Sequence, residues 1–170
     1  MVKPAPDLER RMKEGSIYEG ETRVITFRAS TFQSIIEKVE DMAGDVVART
    51  IFYQIGVEIG RRSFEYSKDE GITFDNIVNV LDGILSERGW GRFTSLNKTA
   101  SSREVVYGCI FQECIMCYAR KATKPVCHTI QGIFVAWLEA LLDKKAQSSI
   151  ETECRANGKD SCKFKITFAK

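Results

Sequence analysis

Six cysteines stand between residues 109 and 162 of this 170-residue chain, and their spacing is the strongest chemical signal in it. Cys154 and Cys162 sit symmetrically about Gly158. Asn157-Gly158 is the dipeptide of a tight hairpin turn, so the two thiols can face each other with Cβ atoms about 4.5–5.5 Å apart. Two thiolates so placed can share a metal ion; they can also form a disulfide. Cys127 falls in the first turn of a helix predicted after Pro125, where the helix dipole favours the thiolate that binds zinc. Three thiolates are one ligand short of a closed tetrahedral site. Glu151, Glu153 and His128 are the nearby candidates for the fourth. The competing reading is that these cysteines are small core residues, since free cysteine is among the most buried types.

Cys109, Cys114 and Cys117 allow a different chemistry. With Cys127 they spell C-x4-C-x2-C-x9-C, which raises an iron–sulfur site but matches no ferredoxin spacing. Cys114 and Cys117 alone form a C-x-x-C pair, without the βαβ context of redox-active pairs. A thiol lining a ligand pocket and plain apolar packing are the other readings. His128 is the only histidine, and there is no nucleophile elbow. Four protein ligands on zinc would leave no position for an activated water. The chain therefore reads as a binding protein and not as an enzyme.

The elements that must position these residues are legible in outline. Val24 to Phe27 looks like a short strand. Phe32, Ile35, Ile36, Val39 and Met42 recur at helical spacing after Ser30, a candidate cap. Gly44 marks a break, and Val47, Ile51, Ile55 and Ile59 give a second helix its apolar stripe. Gly56 and Gly60 lie on one side of that helix, where another backbone can approach closely. After a turn at residues 67–71, Thr73 can cap a third helix carrying Ile77, Val78, Leu81, Ile84 and Leu85. Strands are predicted around Arg92–Leu96 and Arg103–Phe111, with the polar run 97–102 as their loop. Ile130, Ile133, Phe134, Trp137, Leu138 and Leu141 make the buried face of a fourth helix. Cys162, Phe164, Ile166 and Phe168 alternate with polar residues, as a half-buried strand does. The sum is an α+β fold, an antiparallel sheet with a helical layer. Residues 1–15, with two of the three prolines, read as a flexible arm, and residues 16–170 as one domain.

Composition limits the partners. Hydrophobic residues are 44% and charged residues 28%, with a net charge of +2, so the chain is globular and lacks the basic footprint of direct nucleic-acid binding. No apolar run is long enough to span a membrane. The charged, proline-containing start does not read as a signal peptide, so the expected location is the cytoplasm.

Several of these residues also resemble a known family. Pro125-Val126-Cys127, Gly132, Glu151-Thr152-Glu153-Cys154, Gly158, Cys162 and Phe164 are similar to the vinyl-4-reductase domain. That domain occurs in archaeal hydrocarbon-binding proteins, in proteins linked to bacteriochlorophyll synthesis, and as the sensor region of phenol- or xylene-responsive activators. Glu14-Gly15-Ser16-Ile17, Gly20-Glu21-Thr22-Arg23 and Ala29-Ser30 resemble the entry to that sensor region, so the likeness runs from Glu14 to Phe168.

The resemblance implies a fold similar to vesicle-tethering subunits of the Bet-three type, usually dimeric. It implies a structural zinc held by Cys127, Glu151, Cys154 and Cys162. A regular strand would put Glu151 and Cys154 on opposite faces, so that ligand set requires a bulge near Thr152. It implies a ligand pocket in which Asn79 stands where the aromatic-sensing relatives carry a histidine. Tyr107, Cys109 and Phe111, which share one strand face, stand near the place of a family tryptophan. The function implied is a stand-alone sensor for a small hydrophobic or aromatic molecule, passing its signal to a separate regulatory protein. An accessory role in tetrapyrrole metabolism and a ligand-free tethering scaffold are the alternatives.

Overall fold

The structure, a computed structural model, describes residues 10–13, 15–19 and 21–170. Most of the expected arm, residues 1–9, lies outside the described residues. Its later part is a strand: β1 (Arg10–Lys13) pairs antiparallel with β2 (Ser16–Glu19), which pairs with β3 (Thr22–Val24). β3 ends at Val24, where the strand expected over 24–27 begins.

Four helices and a second sheet form the body. The helices are α1 (Ala29–Ala43), α2 (Asp45–Tyr66), α3 (Ile77–Glu87) and α4 (His128–Leu142). The sheet has the order β4-β5-β7-β6 and is antiparallel throughout, from β4 (Arg92–Ala100), β5 (Glu104–Gln112), β6 (Ala146–Glu153) and β7 (Cys162–Ala169). The expected α+β class is the observed one. The polar run 97–100 is strand, not loop, because Asn97 to Ala100 continue the ladder with Gly108 to Val105. The polar side chains on β4 face water on a sheet covered on one side only, so they do not interrupt it.

Gly44, at φ 74°, ends α1 and starts α2. Gly56 and Gly132 are the residues that let α2 and α4 meet. A Cβ on Gly56 would run into the carbonyl oxygen of Thr129, and one on Gly132 into that of Tyr53 and to 2.7 Å from the Val57 nitrogen. The close approach expected from the glycines of α2 is therefore real. The stripe expected to bury α2 is not: Ala48, Phe52, Gly56 and Gly60 face inward, while Val47, Ile51 and Ile55 are exposed. A helix that seats backbone against backbone uses its small residues for the seam, and the branched residues one step away are left outside.

α4 is the centre of the core, with Thr129 to Leu138 buried without interruption. Phe134 packs on Phe93, Phe111 and Phe164 of the sheet with centroids 4.7–5.7 Å apart. On its far side, the Trp137 indole N–H donates to Ser63 Oγ at 2.8 Å. The order of layers is sheet, then α4, then α2, and α3 packs on β4 at one end.

Candidate metal centre and ligand cavity

Three chain segments deliver the cysteines to one point. β5 ends at Gln112, and the chain turns through Cys114 into a short 3-10 turn, Ile115–Cys117. Cys127 is the N-cap of α4, one residue before the first turn predicted for it. Cys154 follows β6, and Cys162 opens β7 opposite Phe111 of β5. The link between Cys154 and Cys162 is a 3-10 turn, Arg155–Asn157, closed by Gly158 at φ 85°, longer than the tight hairpin that Asn157-Gly158 suggests. A hydrogen bond from Ala122 N–H to the Ala156 carbonyl at 2.8 Å ties this link to the segment before α4.

The sulfurs are in mutual contact. Cys117 Sγ lies 3.0 Å from Cys127 Sγ and 3.4 Å from those of Cys154 and Cys162. Cys127 Sγ lies 3.6 and 3.5 Å from Cys154 and Cys162, and Cys114 Sγ lies 3.4 Å from Cys127. All five are buried and no disulfide joins them. Two sets of four ligand atoms could each hold a metal ion: Cys114, Cys117, Cys127 and Cys162, and the expected Cys127, Glu151, Cys154 and Cys162. The bulge that the second set requires is present, as the β6–β7 register shifts between Glu151 and Glu153.

Glu151 is buried, and its Oε2 accepts the backbone N–H of Cys127 at 2.8 Å while Oε1 has no partner. Without a metal its carboxyl is pushed up to about 9, first by burial and then by the neighbouring Cys154. A buried carboxyl with an orphaned oxygen beside a knot of thiols is a donor set that could hold a cation, and soft thiolates with one carboxylate suit zinc. The other two candidates do not join it. Glu153 pairs with Lys163 at 3.0 Å on the other side of the strand. His128 belongs to neither ligand set, and burial followed by the charge of Arg49 holds it down at about 4.

Cys109 stands apart. It is buried on β5 opposite Leu96 and Phe164, and burial raises its thiol well above the ordinary value. The four cysteines of the iron–sulfur pattern are therefore not brought together. Cys117 is the residue that sequence reasoning missed as a partner of Cys154 and Cys162; its C-x-x-C spacing was the available signal.

The expected ligand-binding residues fare differently. Asn79 is exposed on α3. Tyr107, Cys109 and Phe111 share a buried face, as expected, but the space before them is filled. Tyr107 stacks on Phe74 at 5.5 Å and meets Phe168 edge-on, and Phe111 packs on Phe134. None of the four residues lines the cavity of about 640 Å³ that opens elsewhere, between residues 24–27, the start of α1 and the end of α3. Its walls include Ile25, Phe27, Phe32, Trp90 and Ile115, with Glu87 and Arg88 at the polar side. Phe32 and Trp90 meet edge to face at 5.8 Å. The volume is within the range of about 300–1,000 Å³ common for small-molecule sites. Ile115 N–H donates to the Trp90 carbonyl at 2.9 Å, so the Ile115–Cys117 turn is at once a cavity wall and part of the cysteine cluster.

Comparison with known proteins agrees with this fold and this region. Residues 110–168, the stretch holding the whole cluster, match the family model of the vinyl-4-reductase domain. No protein of curated function matches the sequence. Among solved structures, the phenol-responsive sensory domain of the transcription activator PoxR, with phenol, is similar at a TM-score of 0.76 and 22% identity, covering 94% of this chain and 84% of that one. A vinyl-4-reductase family protein of Methanocaldococcus jannaschii is similar at 0.56 and 18%, covering 86% of this chain and 85% of that one. A trafficking protein particle complex subunit 3 of Naegleria fowleri, covalently bound to palmitic acid, is similar at 0.60 and 16%, covering 84% of this chain and 93% of that one. At these identities the likeness is one of fold.

Proposed function

We propose that this chain is a non-catalytic sensor domain that binds a small hydrophobic, preferably aromatic, molecule in the cavity beside Trp90 and holds one structural zinc ion in its cysteine cluster. The observation that carries the reading is the cavity: about 640 Å³, mainly apolar, with Phe32 and Trp90 on its wall. The likeness in fold to a phenol-responsive sensory domain supports it. Zinc with all its positions filled by protein side chains would cross-link the start of α4 to the β6–β7 connection, and the Ile115–Cys117 turn packs on that cross-link through the Cys117 sulfur. It thereby braces the cavity wall.

The same reading makes the protein a homodimer in the cytoplasm. Val46, Val47, Ile51 and Ile55 leave an apolar stripe on α2, with Ile51 39% and Val46 76% exposed, and a second copy would cover it. No described helix is long and apolar enough to cross a membrane. A separate regulatory protein would read the ligand-bound state. The second reading, a tethering scaffold without a ligand, draws on the space before Tyr107, Cys109 and Phe111 being filled by Phe74, Phe134 and Phe168.

Native against denaturing mass spectrometry, together with tryptophan fluorescence, tests the choice. Trp90 lines the cavity, whereas Trp137, the only other tryptophan, is fully buried. Titration with phenols is expected to change the emission saturably, and Trp90→Phe is expected to abolish the change. A silent titration across phenols, alkanes and fatty acids, with no organic mass released on denaturation, would favour the scaffold.

A further inference from the structure

We propose that the open cavity between residues 120–123 and 155–158 is a binding site for the phosphate group of a small soluble molecule. The cavity has a volume of about 560 Å³, and Arg120, Lys121, Thr123, Arg155, Asn157 and Gly158 are among its lining residues. It shares no lining residue with the cavity beside Trp90. Two chain segments build it. The Ala122 N–H donates to the Ala156 carbonyl at 2.8 Å, which stitches the segment before α4 to the β6–β7 link. Residues 118–125 and 154–160 of those segments carry five basic side chains, Arg120, Lys121, Lys124, Arg155 and Lys159, against one acidic, Asp160. Like charges gathered around a concave site focus a potential of their own sign on it, here one that attracts anions.

Two unpartnered polar atoms on these residues narrow the ligand. Arg120 is held rigidly: its Nη2 donates to both carboxylate oxygens of Glu40 on α1, at 2.9 and 2.8 Å, and its side chain is 13% exposed. Its Nη1 is buried and has no partner. A guanidinium nitrogen so placed is costly, and an oxyanion gives it a charge-assisted acceptor. Asn157 Oδ1 is likewise buried and unpartnered. That amide serves either form of a phosphate: Oδ1 accepts from one that keeps a proton, and the amide turned about donates through Nδ2 to one that has lost it. Charge favours phosphate over carboxylate. Five basic side chains against Asp160, Glu40 and Glu113 leave an excess of two positive charges, which a phosphate dianion neutralises. Arg155 completes the site. Its Nη1 lies 3.1 Å from Glu113, which is 74% exposed, so water weakens that ion pair and a phosphate can replace it. The volume exceeds what a phosphate fills, and the remainder takes the group that carries it.

An NMR titration of the full isotope-labelled chain with inorganic phosphate, at constant ionic strength against chloride, tests the site. Saturable shifts are expected, centred on the lining segments 120–123 and 155–158. Glycerol phosphate is expected to bind at least as tightly as inorganic phosphate. Arg155→Ala is expected to weaken binding about tenfold, the size of one charge-assisted hydrogen bond. Glu113→Gln removes the competing carboxylate and is expected to tighten binding severalfold, a gain that damage to the fold cannot produce. Neither side chain is buried, so both variants report on the site and not on the core. Shifts no larger than those given by chloride overturn the proposal, as does an affinity unchanged in both variants. Binding to vesicles of phosphatidic acid in phosphatidylcholine, with no response to either soluble phosphate, also overturns it and assigns the basic face to a membrane surface.

Discussion

The cysteine cluster and the apolar cavity meet at the same Ile115–Cys117 turn, yet they are closed to different degrees. Cys127, Cys154 and Cys162 are 0% exposed, and the segments that carry them are tied by backbone hydrogen bonds and by the paired strands β5, β6 and β7. On the cavity side, Ile25 and Phe27 are 73% and 55% exposed. The difference is one of physical necessity. Buried thiols can ionise only beside a cation, so a cluster able to hold one has to be assembled completely and shut off from water. Apolar walls in water cost less, so a cavity can stand open and gain free energy when a ligand covers it. The same contrast separates the two long helices, since α4 is buried along ten successive residues while α2 keeps an apolar stripe outside.

That contrast can be broken at either end. The largest effect is expected from removing the proposed zinc ion. A strong chelator should lower the melting temperature of the wild-type chain by about 10–20 °C, corresponding to a loss on the order of 5 kcal/mol at this chain length. Because Ile115 shares a turn with Cys117, chelation should also weaken binding in the cavity by about tenfold, or roughly 1.4 kcal/mol. An unchanged melt would mean that the cluster is plain core packing.

Next in size is the helix seam. Gly132→Ala drives a Cβ into the Tyr53 carbonyl oxygen and to 2.7 Å from the Val57 nitrogen, and overpacking of that kind costs about 1–3 kcal/mol. Calorimetry should show a fall of roughly 2–12 °C with the metal retained, which separates damage to the core from damage to the cluster.

The smallest effects belong to the cavity side. Ala29→Trp, at the first residue of α1 and on the cavity wall, should leave stability within about 0.5 kcal/mol while lowering affinity for an aromatic ligand at least tenfold. Asn79→Ala should change neither, because Asn79 is exposed and off that wall. Loss of binding in Asn79→Ala with normal binding in Ala29→Trp would move the ligand site to the other side of α3.

How much of this could be read from the residues depends on the range of the interaction involved. Helical periodicity located the four helices of the described residues, strand alternation located β7, and the glycines of α2 announced a close helix crossing. Each of these signals is written within a few turns of chain. The even or odd spacing of Glu151 and Cys154 required a bulge near Thr152, and the register shift is there. The buried face of α2 was misjudged, because periodicity finds an apolar stripe without telling whether the core or a partner covers it.

The sequence by itself pointed to Cys127, Cys154 and Cys162 as residues that could hold a metal together, which the fold brings to one point, and to the α+β class. Only the tertiary structure decided that Cys117 joins these sulfurs, through contacts 37 and 45 residues away along the chain. It alone placed Asn79 in solvent, filled the space before Tyr107, Cys109 and Phe111, and opened a cavity beside Trp90. The physical reason is the same in each case. Local patterns fix which way a side chain points from its own element, whereas what meets it there is set by segments that arrive from distant parts of the chain.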